Sequence, residues 1–212
     1  PHGVRVSQHP LDVTDRAAVA TLPDEVLGIH GQVDLLFNNA GVAVGGLFSQ
    51  VSDKDFDWLL EINFHAVVRM TRAFLPLLRE RPAARVVNIS SLFGLIAPAG
   101  QTAYSASKFA VRGFSNALAH ELAMEGSPVG VTVAHPGGVA TSIARNARIA
   151  ASVPDGLRKA HQERAQRMLK MPPEQAGEII VAAAERGQRR VIVGNDAKFM
   201  ALQTMCGTME AL

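Results

Sequence analysis

The chain has 212 residues and a net charge of +2, with 48% hydrophobic and 19% charged residues. That is enough chain for one domain with a sizeable core, and the composition excludes disorder. The small, scattered charge gives no nucleic-acid surface, no apolar run reaches the length of a membrane span, and no secretory signal opens the chain.

The first residues, PHGVRVSQHPLDVTD, read as the middle of a domain, with Val4, Val6, Leu11 and Val13 spaced as in a strand running into a turn. A helix is expected over 15–30. VDLLFNNAG (33–41) is almost continuously apolar, the mark of a parallel strand covered on both faces. Ser52, Asp53, Asp55 and Asp57 stand around the start of a helix over 52–79 that carries Phe56, Leu59, Leu60 and Ile62. Those aspartates, beside Trp58, read as a helix start and not as paired catalytic carboxylates. ARVVNISS (84–91) is the next buried strand, and 102–125 is a helix with Phe114, Leu118 and Leu122 at four-residue steps. VGVTVAHPG (129–137) is a third strand.

Residues 141–171 break the pattern. They are rich in Ala and Arg, interrupted by SVPDG, and hold seven basic residues (Arg145, Arg148, Arg158, Lys159, Arg164, Arg167, Lys170) against Asp155 and Glu163. Their place after a strand's carboxyl end fits a mobile substrate lid, its charge a solvated face or a surface for anionic or carrier-linked substrates. A helix over 172–187 and the strand RRVIVG (189–194) follow. Residues 197–212, with Phe199, Met200, Leu202, Met205 and Met209, are expected near a subunit contact. The alternation predicts a single domain over 1–212, an α/β doubly wound parallel sheet with right-handed crossovers.

Chemistry collects where the strands end. NNAG, SS and HPGGVAT should converge on one crevice, with glycines that let a planar ligand approach the backbone. Tyr104, the chain's only tyrosine, stands one helical turn before Lys108. Hydride transfer to or from a carbonyl requires a proton at its oxygen, and an ordinary phenol is a poor base at neutral pH. An adjacent ammonium lowers a phenol's pKa, and the Ser91 hydroxyl is placed to hold the oxygen. Taken alone, the spacing also fits a surface tyrosine and a solvated lysine. The seven histidines show no metal-ligand spacing, Ser91 and His135 lack a G-x-S-x-G elbow, and the lone Cys206 excludes an internal disulfide.

NNAG, NISS, YSASK and HPGGVATS, in this order, resemble the short-chain dehydrogenase/reductase family over nearly the whole chain. The resemblance implies a Rossmann-like fold and NAD- or NADP-dependent interconversion of a secondary alcohol and a carbonyl. It implies Tyr104 as acid/base, Ser91 as carbonyl polariser, and Lys108 as the group that lowers the tyrosine pKa and binds the nicotinamide ribose. Asn63 in INFHAV matches the family's helix asparagine, which holds a water between lysine and solvent; Ala66 replaces a common glycine. Cofactor contacts are implied for Asp12 and Val13, for Asn39, Ala40 and Gly41, and for Pro136, Gly137, Val139 and Thr141. A small-molecule substrate, a cytoplasmic location and a homodimer or homotetramer are expected, with pairing through helices 52–79 and 102–125 and their Phe64, Phe74, Phe109 and Phe114. A non-catalytic binding or assembly module and a carrier-linked ketoreductase are the alternatives.

The family's glycine-rich phosphate loop, first strand and helix, and second strand have no counterpart in the sequence, nor does the residue that selects NAD or NADP. A longer parent chain is therefore expected, with a T-G-x-x-x-G-x-G loop within roughly sixty residues upstream. A chain starting at Pro1 is expected to bind either dinucleotide negligibly.

Overall fold

The structure, a computed structural model, describes residues 3–205. In chain order its strands are β1 (Leu35–Asn38), β2 (Val44–Gly45), β3 (Ala84–Ile89), β4 (Val129–Pro136), β5 (Arg148–Ile149) and β6 (Arg190–Val193). Its helices are α1 (Arg16–His30), α2 (Asp53–Leu60), α3 (Ala66–Arg79), α4 (Thr102–Met124), α5 (Asp155–Met168), α6 (Pro173–Glu185) and α7 (Asn195–Met205). A four-stranded parallel sheet runs in the order β1-β3-β4-β6, and β2 pairs with β5 in a separate two-stranded one.

Local signals set the helix ends. Asp15 caps α1 by accepting from the amides of Ala17 and Ala18, and Gly31, at φ 78°, ends it in the left-handed region. Ser52 caps α2, and Pro173 opens α6. The helix expected over 52–79 is not one α-helix. Glu61–His65 forms a π-helical turn between α2 and α3.

Side-chain alternation along the strands separates two cores. Leu36, Val86, Val129 and Val131 face Leu22 of α1, Phe74 and Leu78 of α3 and Leu122 of α4. Val87, Ala134, Val191 and Val193 face Ala176, Ile180, Ala183 and Ala184 of α6. The helices joining β1 to β3 and β3 to β4 thus lie on one face, while α6, joining β4 to β6, lies on the other. The sheet grows in one direction throughout, so this last crossover has the opposite hand to the two before it. Uniformly right-handed crossovers are not what forms. The usual preference arises when a strand feeds its helix directly. Here the chain leaves β4, makes the excursion 141–168 and returns: the amides of Lys170 and Met171 donate to the Gly138 carbonyl, and that of Ala140 to Met171.

Other expectations shift as well. Residues 4–11 form no strand: no strand lies beside them among the described residues, and Val4 and Val6 are 70% and 76% exposed. Side chains hold them instead, through Ser7 to His30 at 2.9 Å and His9 to Glu25 at 3.0 Å. Phe74 belongs to the core rather than to a subunit contact, and Phe64 packs edge-on against Phe114 at 6.3 Å. In α7, Ala197 and Ala201 are buried while Phe199 and Leu202 are exposed; Cys206 and Met209 lie outside the described residues.

A buried polar chain links sheet to helices below the strand ends. Asn38 Nδ2 donates to Asn88 Oδ1 at 2.8 Å and to Thr71 Oγ1 at 3.0 Å, and Asn88 Nδ2 donates to Ser115 Oγ at 2.9 Å. It joins β1, β3, α3 and α4 at one point. Removing its centre leaves buried groups unmatched, so Asn88→Ala is expected to cost about 2 kcal/mol in denaturant unfolding. A loss below about 0.5 kcal/mol would show the chain to be dispensable.

Candidate active site

The site is built around a buried cation. Lys108 is 3% exposed, and its Nζ donates to the Ile89 carbonyl at the end of β3 at 3.0 Å. Its own carbonyl accepts from Ser90 Oγ at 2.8 Å. This contact requires glycine at 94, because a Cβ there would lie 2.2 Å from Ser90 Oγ and 2.8 Å from the Lys108 carbonyl oxygen. Gly41 reaches the same point from β1, where a Cβ would meet Asn63 Oδ1 at 3.4 Å and Lys108 Nζ at 3.6 Å. Burial holds the Lys108 pKa down to about 8.

Asn63 is fully buried on the π-helical turn and acts as a bracket. Its Oδ1 accepts from the Val42 amide at 2.8 Å, and its Nδ2 donates to the Val42 carbonyl at 2.9 Å and to Ser107 Oγ at 3.2 Å. Ser107 Oγ in turn donates to the Tyr104 carbonyl at 2.7 Å. The loop after β1 is thereby fixed against the first turns of α4.

Tyr104 packs against the buried cluster of Val44, Leu59 and Ala103, as Val42 and Trp58 also do, and lies edge-on to Phe93 at 6.1 Å. Lys108 Nζ lies 5.6 Å from its ring centre. Burial pushes the phenol pKa up, and a hydrogen bond with the Ser91 hydroxyl opposes this. The lowering expected from Lys108 is therefore not what this arrangement produces. The ammonium is directed to the Ile89 carbonyl, and desolvation of the phenol dominates.

Ser91 opens a 3-10 turn over Leu92–Gly94 and accepts from the Phe93 amide at 3.1 Å. Its carbonyl accepts from His135 Nδ1 at 3.0 Å. His135 is fully buried on β4, its Nε2 has no partner among the described residues, and burial lowers its pKa to about 4, so it is neutral near pH 7. Sequence reasoning missed this role; the only signal was an imidazole inside an apolar strand run.

The remaining predicted residues lie along the same sheet edge. Val13, Asn39 and Ala40 line a groove of about 160 Å³ with Phe37, Ile62 and Met70. Asp12 accepts from the Thr14 amide and hydroxyl, both at 2.8 Å, which holds its carboxyl below the usual range. After Pro136, the Gly137 amide donates to the Val193 carbonyl at 2.9 Å and the Gly138 amide to Asp196 Oδ2 at 2.8 Å. A Cβ on Gly137 would lie 2.4 Å from that carboxylate. Asp196 thus shapes the turn leading to Val139 and Thr141, and nothing in the sequence marked it. A larger cleft of about 310 Å³ lies at the opposite strand ends, lined by Arg85, Gly130, Gly187 and Arg189, and contains none of the predicted residues.

The sequence profile of the short chain dehydrogenase family matches residues 2–151. The chain belongs to this family. SadH of Mycobacterium tuberculosis is 43% identical over 198 residues, 92% of this chain and 70% of that protein. The 3-oxoacyl-(acyl-carrier-protein) reductase FabG of Salmonella typhimurium is 31% identical over 175 residues, 80% of this chain and 71% of that one. Among solved structures, a short chain dehydrogenase/reductase from Burkholderia phymatum in complex with NAD superposes with a TM-score of 0.86 at 27% identity, covering 99% of this chain and 80% of that one. A short chain dehydrogenase from Burkholderia cenocepacia in complex with NADP gives 0.77 at 25% identity, covering 97% and 79%. The protein is an oxidoreductase of the short-chain dehydrogenase family, and no described helix is long and apolar enough to cross a membrane.

The depressed Lys108 pKa carries a stability cost with a definite sign. Between about 8 and the ordinary 10.5 the unfolded chain binds more protons than the folded one, so stability rises with pH through that window. Lys108→Met is expected to be more stable than wild type at pH 7 by about 3 kcal/mol, with the gap closing toward pH 10. Denaturant unfolding at pH 7 and 9.5 checks this; a gap that does not narrow contradicts it.

Proposed function

We propose that the protein interconverts a secondary alcohol and a carbonyl, using NAD or NADP. The observation that carries this reading is the Ser91–Tyr104 hydroxyl pair with buried Lys108 one turn away on the same helix. The glycines at 41 and 137 support it by letting the site's own groups close in, Asn63 and Lys108 beside the first and Asp196 beside the second. The groove beside Val13, Asn39 and Ala40 has the place and apolar lining for the adenine side. The nicotinamide supplies or accepts the hydride when bound.

The chain's own groups handle the proton. Tyr104 keeps its proton at neutral pH and is poised to give it to a carbonyl oxygen that is becoming an alkoxide. Ser91 donates a hydrogen bond to that same oxygen and so fixes it opposite the phenol. Lys108, its ammonium directed to the Ile89 carbonyl, holds the end of β3 against α4 and would bind the nicotinamide ribose. In the oxidative direction the same residues work in reverse.

The supporting expectations are a small-molecule alcohol or carbonyl substrate, a cytoplasmic location, and a homodimer or homotetramer paired through α3 and α4, where Phe109 is 40% exposed. A carrier-linked substrate would use the basic residues of 141–171, but Arg148 already pairs with Asp55, and Arg158 bonds the Val153 carbonyl.

Tyr104→Phe is expected to lower kcat by roughly 10²–10⁴-fold at unchanged unfolding midpoint, because it removes the proton and keeps the ring. Ser91→Ala should lower kcat similarly, and Lys108→Ala should weaken nucleotide binding as well. Nicotinamide absorbance with a ketone or secondary alcohol is the measurement. Near-wild-type turnover in Tyr104→Phe would overturn the assignment.

A further inference from the structure

The segment expected to be a mobile lid has a fixed root, and one side chain holds it there. Arg148, the first residue of β5, pairs through a guanidinium nitrogen with Asp55 Oδ1 at 2.9 Å. The same guanidinium lies over the Trp58 ring, 3.4 Å from its centre. Asp55 and Trp58 belong to α2, ninety residues or more earlier in the chain. The backbone makes a matching contact: the Arg148 amide donates to the Ala43 carbonyl and the Ala150 amide to Gly45, both at 3.0 Å. Gly46 makes room for this, since a Cβ there would stand 2.9 Å from that of Ala150.

The contact matters because of what lies behind it. β2, the partner of β5, holds Val44, which with Leu59 and Ala103 forms the buried cluster that Tyr104 and Trp58 pack against. Arg148 therefore ties β5 and β2 to α2 around the cluster that Tyr104 packs against, and no residue of these three elements lines the groove of Val13, Asn39 and Ala40. An exposed ion pair alone contributes little. An arginine that pairs and stacks at once, on a planar ring, is held more strongly than either contact implies.

We propose that Arg148 is a positioning residue for the substrate side of the site: clamped on Asp55 and Trp58, it fixes the β2–β5 wall against which the carbonyl substrate is seated, and it does not act on the nucleotide. The substrate part rests on the proposed function; the clamp itself does not. Lysine preserves the charge but not the planar stack, so the two contacts are separable.

The test compares wild type with Arg148→Met and Arg148→Lys. Trp58 is the single tryptophan of this sequence, so the emission difference between wild type and each variant reports the clamp directly. Arg148→Met is expected to shift Trp58 emission and speed proteolytic cleavage within 151–168. It is also expected to raise the KM for a ketone substrate about threefold to tenfold while the KM for the nucleotide stays within about twofold. Arg148→Lys is expected to fall between. Unchanged emission and cleavage in Arg148→Met overturn the clamp. Changed emission with an equal rise in both KM values overturns the substrate-side assignment. Wild-type protein without nicotinamide-linked turnover would count against the proposed function, while emission and cleavage still decide the clamp.

Discussion

The carboxyl edge of the sheet is organised by the burial of one ammonium. Lys108 sits almost fully out of water with a single strand carbonyl as its described acceptor, an arrangement that costs stability near pH 7. The surrounding structure is what makes it tolerable. Ser90 grips the lysine's carbonyl, Gly94 leaves room for that grip, and Gly41 brings the loop after β1 alongside. Once α4 is drawn this close to β3, the position one turn earlier falls beside Ser91, and Tyr104 occupies it.

The two ends of the sheet are made of different materials. Toward the amino ends, Leu36, Leu78, Val86, Leu122 and Val131 form an apolar core that needs only shape. Toward the carboxyl ends the buried groups are Asn38, Asn63, Asn88, Ser107, Lys108 and His135, nearly all hydrogen-bonded to another element. Such a core is less forgiving, because each group left unmatched costs more than an apolar contact gains. Its benefit is geometric. Directional bonds fix Asn63 to Val42 and His135 to Ser91 more sharply than close packing alone can.

That division also explains what could be read from sequence. Apolar runs and helix punctuation mark every strand of the main sheet to within a few residues, because these follow from local pattern and burial. Tyr104, Lys108 and Ser91 stand out because the chemistry proposed for them needs fixed residue types at fixed spacing. What escapes depends on partners distant in the chain. The upward pKa of Tyr104 comes from burial, which no spacing reveals. His135 is meaningful only beside the Ser91 carbonyl, Asp196 only beside Gly138, and Arg148 only beside Trp58. Residues 4–11 have the right side-chain alternation and still form no strand, since a strand exists only where another lies beside it.

The excursion between β4 and α6 connects these themes. It is pinned at both ends, by the β2–β5 pairing near its start and by the Gly138, Ala140 and Met171 backbone bonds where it returns. Those return bonds put the chain on the sheet's second face, which is how the last crossover comes to have the opposite hand. A segment closed at both roots loses little further entropy when its middle changes length or sequence, since loop-closure cost grows only slowly with length. The residues proposed to handle the proton stand just after β3 and on α4, outside the excursion altogether. Its sequence is therefore free to vary while Ser91, Tyr104 and Lys108 keep their places, which on the proposed function would separate specificity from chemistry.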